Sequence, residues 1–259
     1  MITSTSNARI KELIQLQKKS KIRSQEGLFI VEGLRMILEA PPERVEQLYV
    51  SEGFYKKHQD KLKVFKQKPE LLADTVFAYV SDTRTPQGVL GVIRQLDYPA
   101  EQMLTVSNPH ILVLDTLQDP GNLGTIFRTA EAAGVTGIIM NKDCVDIYNP
   151  KTIRSTMGAI YRIPFAIVDN LPAMLEKVKQ QDIKIYAAHL EGGQPYDQVD
   201  FTTGTAFLIG NEGNGLSPEI ADCADLRIKI PMSGQTESLN AAIAAAILMF
   251  EVCRQRRGI

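Results

Sequence analysis

Apolar and polar positions along this chain switch repeatedly between a strand-like and a helix-like period. Residues 6–19 place Ile10, Leu13, Ile14 and Leu16 at helical spacing, with lysines on the outer face. A short apolar run at 28–31 predicts a strand and 32–39 the helix after it; 45–50 and 52–59 repeat the pair. Segments 61–65, 69–73, 76–80 and 88–95 continue the alternation. Residues 97–109 break the pattern with Pro99, Ser107, Asn108 and Pro109, the composition of a linker. The division predicted is therefore a small α/β domain at 1–98, a linker at 99–109 and a second domain at 110–259.

The second domain opens with a continuous apolar run at 111–114, as suits a strand buried on both faces. A Pro-Gly loop follows at 115–122, then a helix to about 134 and a strand at 137–140. A helix at 149–159, strand at 163–168, helix at 172–180 and strand at 183–188 come next. After a polar loop at 191–204, strands are predicted at 206–209 and 226–230, with a short helix at 218–221 between them. Regular alternation of this kind predicts a parallel sheet with helices on both faces, and ligands bound beyond the carboxyl ends of its strands. The last element, 241–254, presents Ala241, Ala242, Ala244, Ala245 and Ala246. Alanine favours helix and leaves room for another backbone or a flat ligand to approach closely. The run is too short and too interrupted to span a bilayer, which takes roughly 20 apolar residues.

Composition adds limits. With 44% hydrophobic and 23% charged residues the chain is an ordinary globular one. No apolar leader opens it, and Cys144, Cys223 and Cys253 lie far apart, so a reduced, cytoplasmic protein without disulfides is expected. Scattered histidines and cysteines give no metal-ligand spacing, and no metal is expected. Charge is uneven. Residues 1–100 hold 16 Lys and Arg against 12 Asp and Glu, whereas 101–259 hold 13 against 18. Arg9, Lys11, Lys18, Lys19, Lys21 and Arg23 crowd the first 23 residues against Glu12 alone, as phosphate-backbone binding requires, although a solvated helix face has the same composition.

Three polar, glycine-bearing loops fall at predicted strand ends. The first, Asp119-Pro120-Gly121-Asn122-Leu123-Gly124, leads into a helix start that offers free N–H groups, with Arg128 six residues beyond Asn122. It is neither a Walker A loop nor a dinucleotide fingerprint, which disfavours a nucleotide-dependent oxidoreductase. The second, residues 209–217, sets Gly210, Gly213 and Gly215 around Glu212. The third, 230–240, ends in Ser238 and Asn240, either of which could simply cap the final helix. Each loop alone has a plain structural explanation; their coincidence at the ends of one sheet points to a site.

Together these segments resemble the three motifs of the SpoU (TrmH-like) branch of the SPOUT RNA methyltransferases: DPGNLGTIFRTAEAAG, FLIGNEGNGLSPEI and IPMSGQTESLNAAIAAAILMFE, in family order across roughly 110–254. NPKTIRSTMGAIYRIPF, which contains Arg154, also resembles the corresponding family segment. The first hundred residues resemble the ribosomal-protein-like α/β RNA-binding domain often fused ahead of this one. The resemblance implies a deep trefoil knot at the carboxyl end and S-adenosylmethionine bound among the loops. Gly210, Ile230 and Leu239 would line that site, with Asn211 and Met232 close by. It also implies a homodimer through the final helices and methyl transfer to a ribose 2′-hydroxyl of RNA. Ribosomal RNA is favoured by the two-domain layout; transfer RNA, or a non-catalytic RNA-binding protein on the same fold, are the alternatives. By motif, Arg128 sits at the ribose, while Asn122, Ser238 and Asn240 position it. A guanidinium is effectively always protonated, so Arg128 either loses its proton to an unusual site or stabilises the alkoxide while another group, Glu212 by motif, accepts the proton. Arg9, Lys18, Lys19, Arg23 and Arg154 are the expected RNA contacts.

Overall fold

The computed structural model describes residues 1–189 and 193–257 and divides into two compact units. The first comprises Met1–Leu96 together with Asp146–Tyr161. Its elements are α1 (Ala8–Lys18), α2 (Ser20–Glu26), β1 (Leu28–Glu32), α3 (Leu34–Leu38), β2 (Val45–Ser51), α4 (Glu52–His58), β3 (Glu70–Leu72), α5 (Asp74–Val80) and β4 (Val89–Arg94). The strands form one sheet in the order β1-β4-β2-β3, antiparallel except for the β2–β3 pair. Asn7 caps α1 by accepting from the Arg9 N–H. The helical spacing of Ile10, Leu13 and Leu16 then buries all three against Ile30, Leu72, Phe77 and Leu90.

The second unit comprises Asp97–Val145 and Arg162–Ile259, of which the last two residues lie outside the described range. It carries α6 (Ala100–Leu104), β5 (His110–Leu114), α7 (Pro120–Ala132) and β6 (Gly137–Asn141); α8 (Pro150–Thr156) falls in the segment belonging to the first unit. There follow β7 (Phe165–Val168), α9 (Leu171–Lys179), β8 (Lys184–Ala188), β9 (Gln194–Pro195), β10 (Thr205–Ile209), α10 (Pro218–Ala221), β11 (Leu226–Lys229) and α11 (Ala241–Arg256). The seven strands pair in parallel in the order β7-β6-β5-β10-β8-β11-β9. Strands β5 and β10 are buried along their whole length, which is why they read as unbroken apolar runs. One face of the sheet packs on α6, α9 and α10 through Met103, Leu175, Val178 and Ile220. Helix α11 lies against α7 and β10. From β5 the chain winds outward to β6 and β7, then crosses to the other side, and β10 slots in beside β5. The direction of winding reverses between β5 and β10, and at such a reversal the strand ends part and leave a crevice.

The sequence-based division is corrected at two places. Residues 100–104 form a helix, not an open linker: Ala100, Met103 and Leu104 enter the core, and Met103 lies so close to Gly137 that a side chain there would collide with it. Three apolar residues at helical spacing were masked by the surrounding prolines and polar residues. The segment Asp146–Tyr161, expected within the second domain, packs in the first unit. There the Tyr148 ring meets Phe29 with centroids 4.8 Å apart, and its hydroxyl donates to the Leu96 carbonyl at 2.9 Å. Of the polar loop expected at 191–204, residues 191 and 192 lie outside the described residues; the remainder contains β9 and a short 3-10 turn. Among the described residues no helix is long and apolar enough to cross a membrane.

Candidate active site

The crevice is built by the three glycine-bearing loops. At the end of β5, Asp119 caps α7, its Oδ1 accepting from the Asn122 N–H at 2.7 Å, and Pro120 occupies the first helical turn where a missing N–H costs nothing. The second loop leaves β10 and folds back on itself: Asn211 and Gly215 exchange backbone hydrogen bonds of 2.9 Å each way. Asn211 Oδ1 accepts from the N–H groups of Gly213 and Asn214, while its Nδ2 donates to the Thr116 carbonyl at 2.9 Å. This reversal explains Gly210, because a Cβ there would stand 2.2 Å from the Gly215 carbonyl carbon. In the third loop Asn240 caps α11, accepting from the N–H groups of Ala242 and Ile243.

A chain of side-chain hydrogen bonds joins the loops. Asn240 Nδ2 donates to Asn122 Oδ1 at 2.9 Å, and Asn122 Nδ2 donates to Glu212 Oε1 at 2.9 Å. Glu212 also accepts from the backbone N–H groups of Gln118 (3.0 Å) and Asp119 (2.9 Å). Burial pushes its carboxyl upward, but these donations outweigh burial and hold the pKa below the ordinary glutamate value. A carboxylate that accepts three hydrogen bonds and is held acidic is a poorer proton acceptor than a free one. The geometry gives Glu212 a different task from the proton acceptance expected by motif: it clamps the second loop onto the first.

Between the loops lies a cleft of about 560 Å³ lined by Gly210, Asn211, Ile230, Met232, Ser238 and Leu239, with Ala241, Ala244 and Leu248 of α11 beneath. All five residues expected to hold a cofactor line this one space. The small side chains of α11 leave its floor open, in keeping with the alanine face of the sequence. Its size and mixed lining suit a small organic ligand. Ser238 lines the cleft without a hydrogen bond of its own among the described residues. Arg128 does not join the cluster. It stands exposed on α7 with no ion pair or hydrogen bond among the described residues, about 9 Å along the helix from Asn122 by helical rise.

One residue escaped the sequence reading. Asp115, buried at the end of β5, accepts from the Ser217 N–H and hydroxyl with Oδ2, and from Asn141 and Thr116 with Oδ1. It pins the far end of the second loop. An aspartate closing an otherwise apolar buried strand was the available signal.

The outlying residues of the first unit need correction. Arg23 is only 2% exposed: its guanidinium donates to the carbonyls of Leu16 and Gln17 and to the Asp146 carboxylate, so it fastens α2 to the returning segment and cannot meet RNA. Sequence charge does not distinguish an arginine turned inward from one turned outward. Arg9 pairs with Glu70 and Arg154 with Asp82, both remaining partly exposed, while Lys18 and Lys19 are exposed.

Residues 109–250 match the SpoU rRNA Methylase family, and residues 7–91 match the MRM3-like substrate binding domain. The chain belongs to the SpoU methylase family. It is 34% identical to the 23S rRNA (guanosine(2553)-2′-O)-methyltransferase RlmP of Bacillus subtilis (strain 168), over 97% of this chain and 98% of that protein. It is 31% identical to the 23S rRNA (guanosine-2′-O-)-methyltransferase RlmB of Pseudomonas putida, over 90% and 97% of the two chains. Among solved structures, the SpoU methyltransferase AviRb of Streptomyces viridochromogenes in complex with the cofactor AdoMet superposes with a TM-score of 0.89 at 27% identity, over 97% and 98% of the chains. The SpoU match spans all three loops of the cleft and also the segment Asp146–Tyr161, which folds with the substrate-binding unit.

Proposed function

We propose that this chain transfers a methyl group from S-adenosylmethionine to a ribose 2′-hydroxyl of ribosomal RNA. The observation that carries the reading is the hydrogen-bonded chain Glu212–Asn122–Asn240, which holds three loops around one cleft. Gly210, Asn211, Ile230, Met232 and Leu239 would hold the cofactor, which supplies a methyl group activated on a sulfonium. The residues of the chain then have positional tasks. Asn122 and Asn240 fix the start of α7 against the third loop, and Ser238 presents a free hydroxyl to the cleft. Orientation of this kind supplies much of the rate of an in-line transfer. Arg128, unpaired and exposed among the described residues, is available to a ribose or phosphate of incoming RNA and stabilises the 2′-oxygen as its proton passes to solvent water. The packing of α11 on α7 and β10, with Ala241 and Ala244 lining the cleft between the loops, supports a trefoil knot there. The exposed Ile243 and Phe250 of α11 support a homodimer through that helix, at 50% and 47% exposure far above what buried apolar residues show. The reaction belongs in the cytoplasm, where ribosomal RNA is.

The test is incorporation of labelled methyl from S-adenosylmethionine into bulk ribosomal RNA and, separately, transfer RNA. Incorporation into ribosomal RNA is expected, and Arg128→Ala lowers it by roughly three orders of magnitude, the scale of a lost charge-stabilising donor, while calorimetry shows S-adenosylhomocysteine affinity unchanged. Parallel loss of affinity and activity would make Arg128 a binding residue, and incorporation confined to transfer RNA would reassign the substrate.

A further inference from the structure

The basic amino-terminal stretch over α1 and α2 is a weaker RNA surface than its composition suggests. Arg23 is buried and Arg9 is paired, which leaves Lys11, Lys18, Lys19 and Lys21 exposed. A denser cationic stretch lies elsewhere in the same unit. Residues 56–68 hold Lys56, Lys57, Lys61, Lys63, Lys66 and Lys68, all exposed, against Asp60 alone. Lys56 pairs with Glu52 and Lys63 with Asp60. Lys57, Lys61, Lys66 and Lys68 have no ion pair among the described residues.

The helix dipole accounts for only part of this. Cations in the last turn of α4 are favoured by its carboxyl end, which explains Lys56 and Lys57. Lys61, Lys66 and Lys68 lie beyond the helix, in a 3-10 turn over Gln59–Leu62 and the irregular chain after it. A solvated surface mixes both signs, as this chain does overall with 29 basic and 30 acidic residues. Here one sign dominates. Nor is the stretch a loose tail. Leu62 and Phe65 are buried at 3% and 6% exposure, Gln67 Nε2 donates to the Val45 carbonyl, and Gln47 Nε2 donates to the Lys68 carbonyl at 3.2 Å. The anchors point inward at 62 and 65, so the lysines between and around them are held outward on a fixed backbone.

We infer that residues 56–68 form a phosphate-binding surface that grips the backbone of structured RNA, with Lys57, Lys61, Lys66 and Lys68 as its contacts. This rests on the functional reading above and adds to it the place where substrate is held. Lysine is a point charge without the planar fork that reads a base, so the surface strengthens binding without choosing sequence.

Binding of bulk bacterial ribosomal RNA to the full chain, followed by fluorescence anisotropy from 50 to 300 mM salt, tests this. Three variants are compared with the unaltered protein: K57E/K61E/K66E/K68E, the milder K57Q/K61Q/K66Q/K68Q, and K11E/K18E/K19E/K21E across α1 and α2. Loss of four phosphate contacts lowers the slope of log affinity against log salt by about 3. Both variants of the 56–68 surface should show that drop while S-adenosylhomocysteine binding, measured by calorimetry, stays intact. An unchanged slope in both, or the whole effect appearing in the variant of α1 and α2 alone, overturns the inference. If the unaltered protein binds S-adenosylhomocysteine but no RNA, the functional reading itself fails and takes this inference with it.

Discussion

Asn122→Asp is the most incisive change to the cleft, because it preserves size and one of the two hydrogen bonds while reversing the other. Asn122 Oδ1 accepts from Asn240, and an aspartate oxygen can still do so. Asn122 Nδ2, however, donates to Glu212 Oε1 at 2.9 Å, and the substitution sets a second carboxylate there. Two like charges at that separation repel by about 1.4 kcal/mol in bulk water and about 6 kcal/mol at an effective dielectric of 20. Glu212 is exposed, so solvent screening keeps the penalty near the lower figure, about 2 kcal/mol. The lost charge-assisted hydrogen bond adds about 1.5 kcal/mol or more. Together these correspond to a fall of roughly 10²–10³ in methyl transfer. Acid should partly relieve it, since protonating one carboxyl of the pair restores a donor. The assay is single-turnover methyl transfer to ribosomal RNA between pH 5 and 8, with S-adenosylhomocysteine calorimetry alongside. Activity within threefold of the unaltered protein at pH 8 would show that the link between the loops has no functional weight.

Three other expectations follow from buried groups. Asp115→Ala removes the acceptor for the Ser217 N–H and hydroxyl, so S-adenosylhomocysteine affinity should fall by about tenfold, the worth of one hydrogen bond to a charged group; unchanged affinity would mean that the second loop holds its shape unaided. Arg23→Ala leaves Asp146 without its partner and should cost about 3 kcal/mol in urea denaturation; loss of RNA binding with no loss of stability would instead return Arg23 to the RNA contacts. Burial first, and the Arg256 guanidinium second, hold the His110 pKa down to about 3. The unfolded chain therefore takes up a proton near pH 6.5 that the folded chain refuses, and stability present above that pH is lost as pH falls toward 3. The loss by pH 5 is about 2 kcal/mol. His110→Phe should remove that share of the pH dependence, and an undiminished slope would show that His110 titrates normally in the fold.

Much of the second unit was readable because its central strands are buried on both faces and stand out as apolar runs, as at 111–114 and 206–209. Its strand order was not, since β10 pairs with β5 across some ninety residues and no local period encodes that partner. The same distance hid the site's wiring. Asn122, Glu212 and Asn240 were identifiable from loop chemistry, but their mutual hydrogen bonds span separations of 90 and 118 residues. Where charge alone was read, it misled: Arg23 counts toward a basic surface in composition and yet closes the interior of the first unit. Asp146–Tyr161 carries family sequence of the catalytic half, and only packing of Tyr148 and Asp146 reveals that it folds with the other.

The most direct measurement is a map of ribose 2′-O-methylation across total RNA from cells with and without this protein, with the Arg128→Ala variant restored in a third culture. One or a few ribosomal RNA nucleotides should lose methylation without the protein and fail to regain it with the variant. Identical maps in all three cultures, or full restoration by Arg128→Ala, would contradict it.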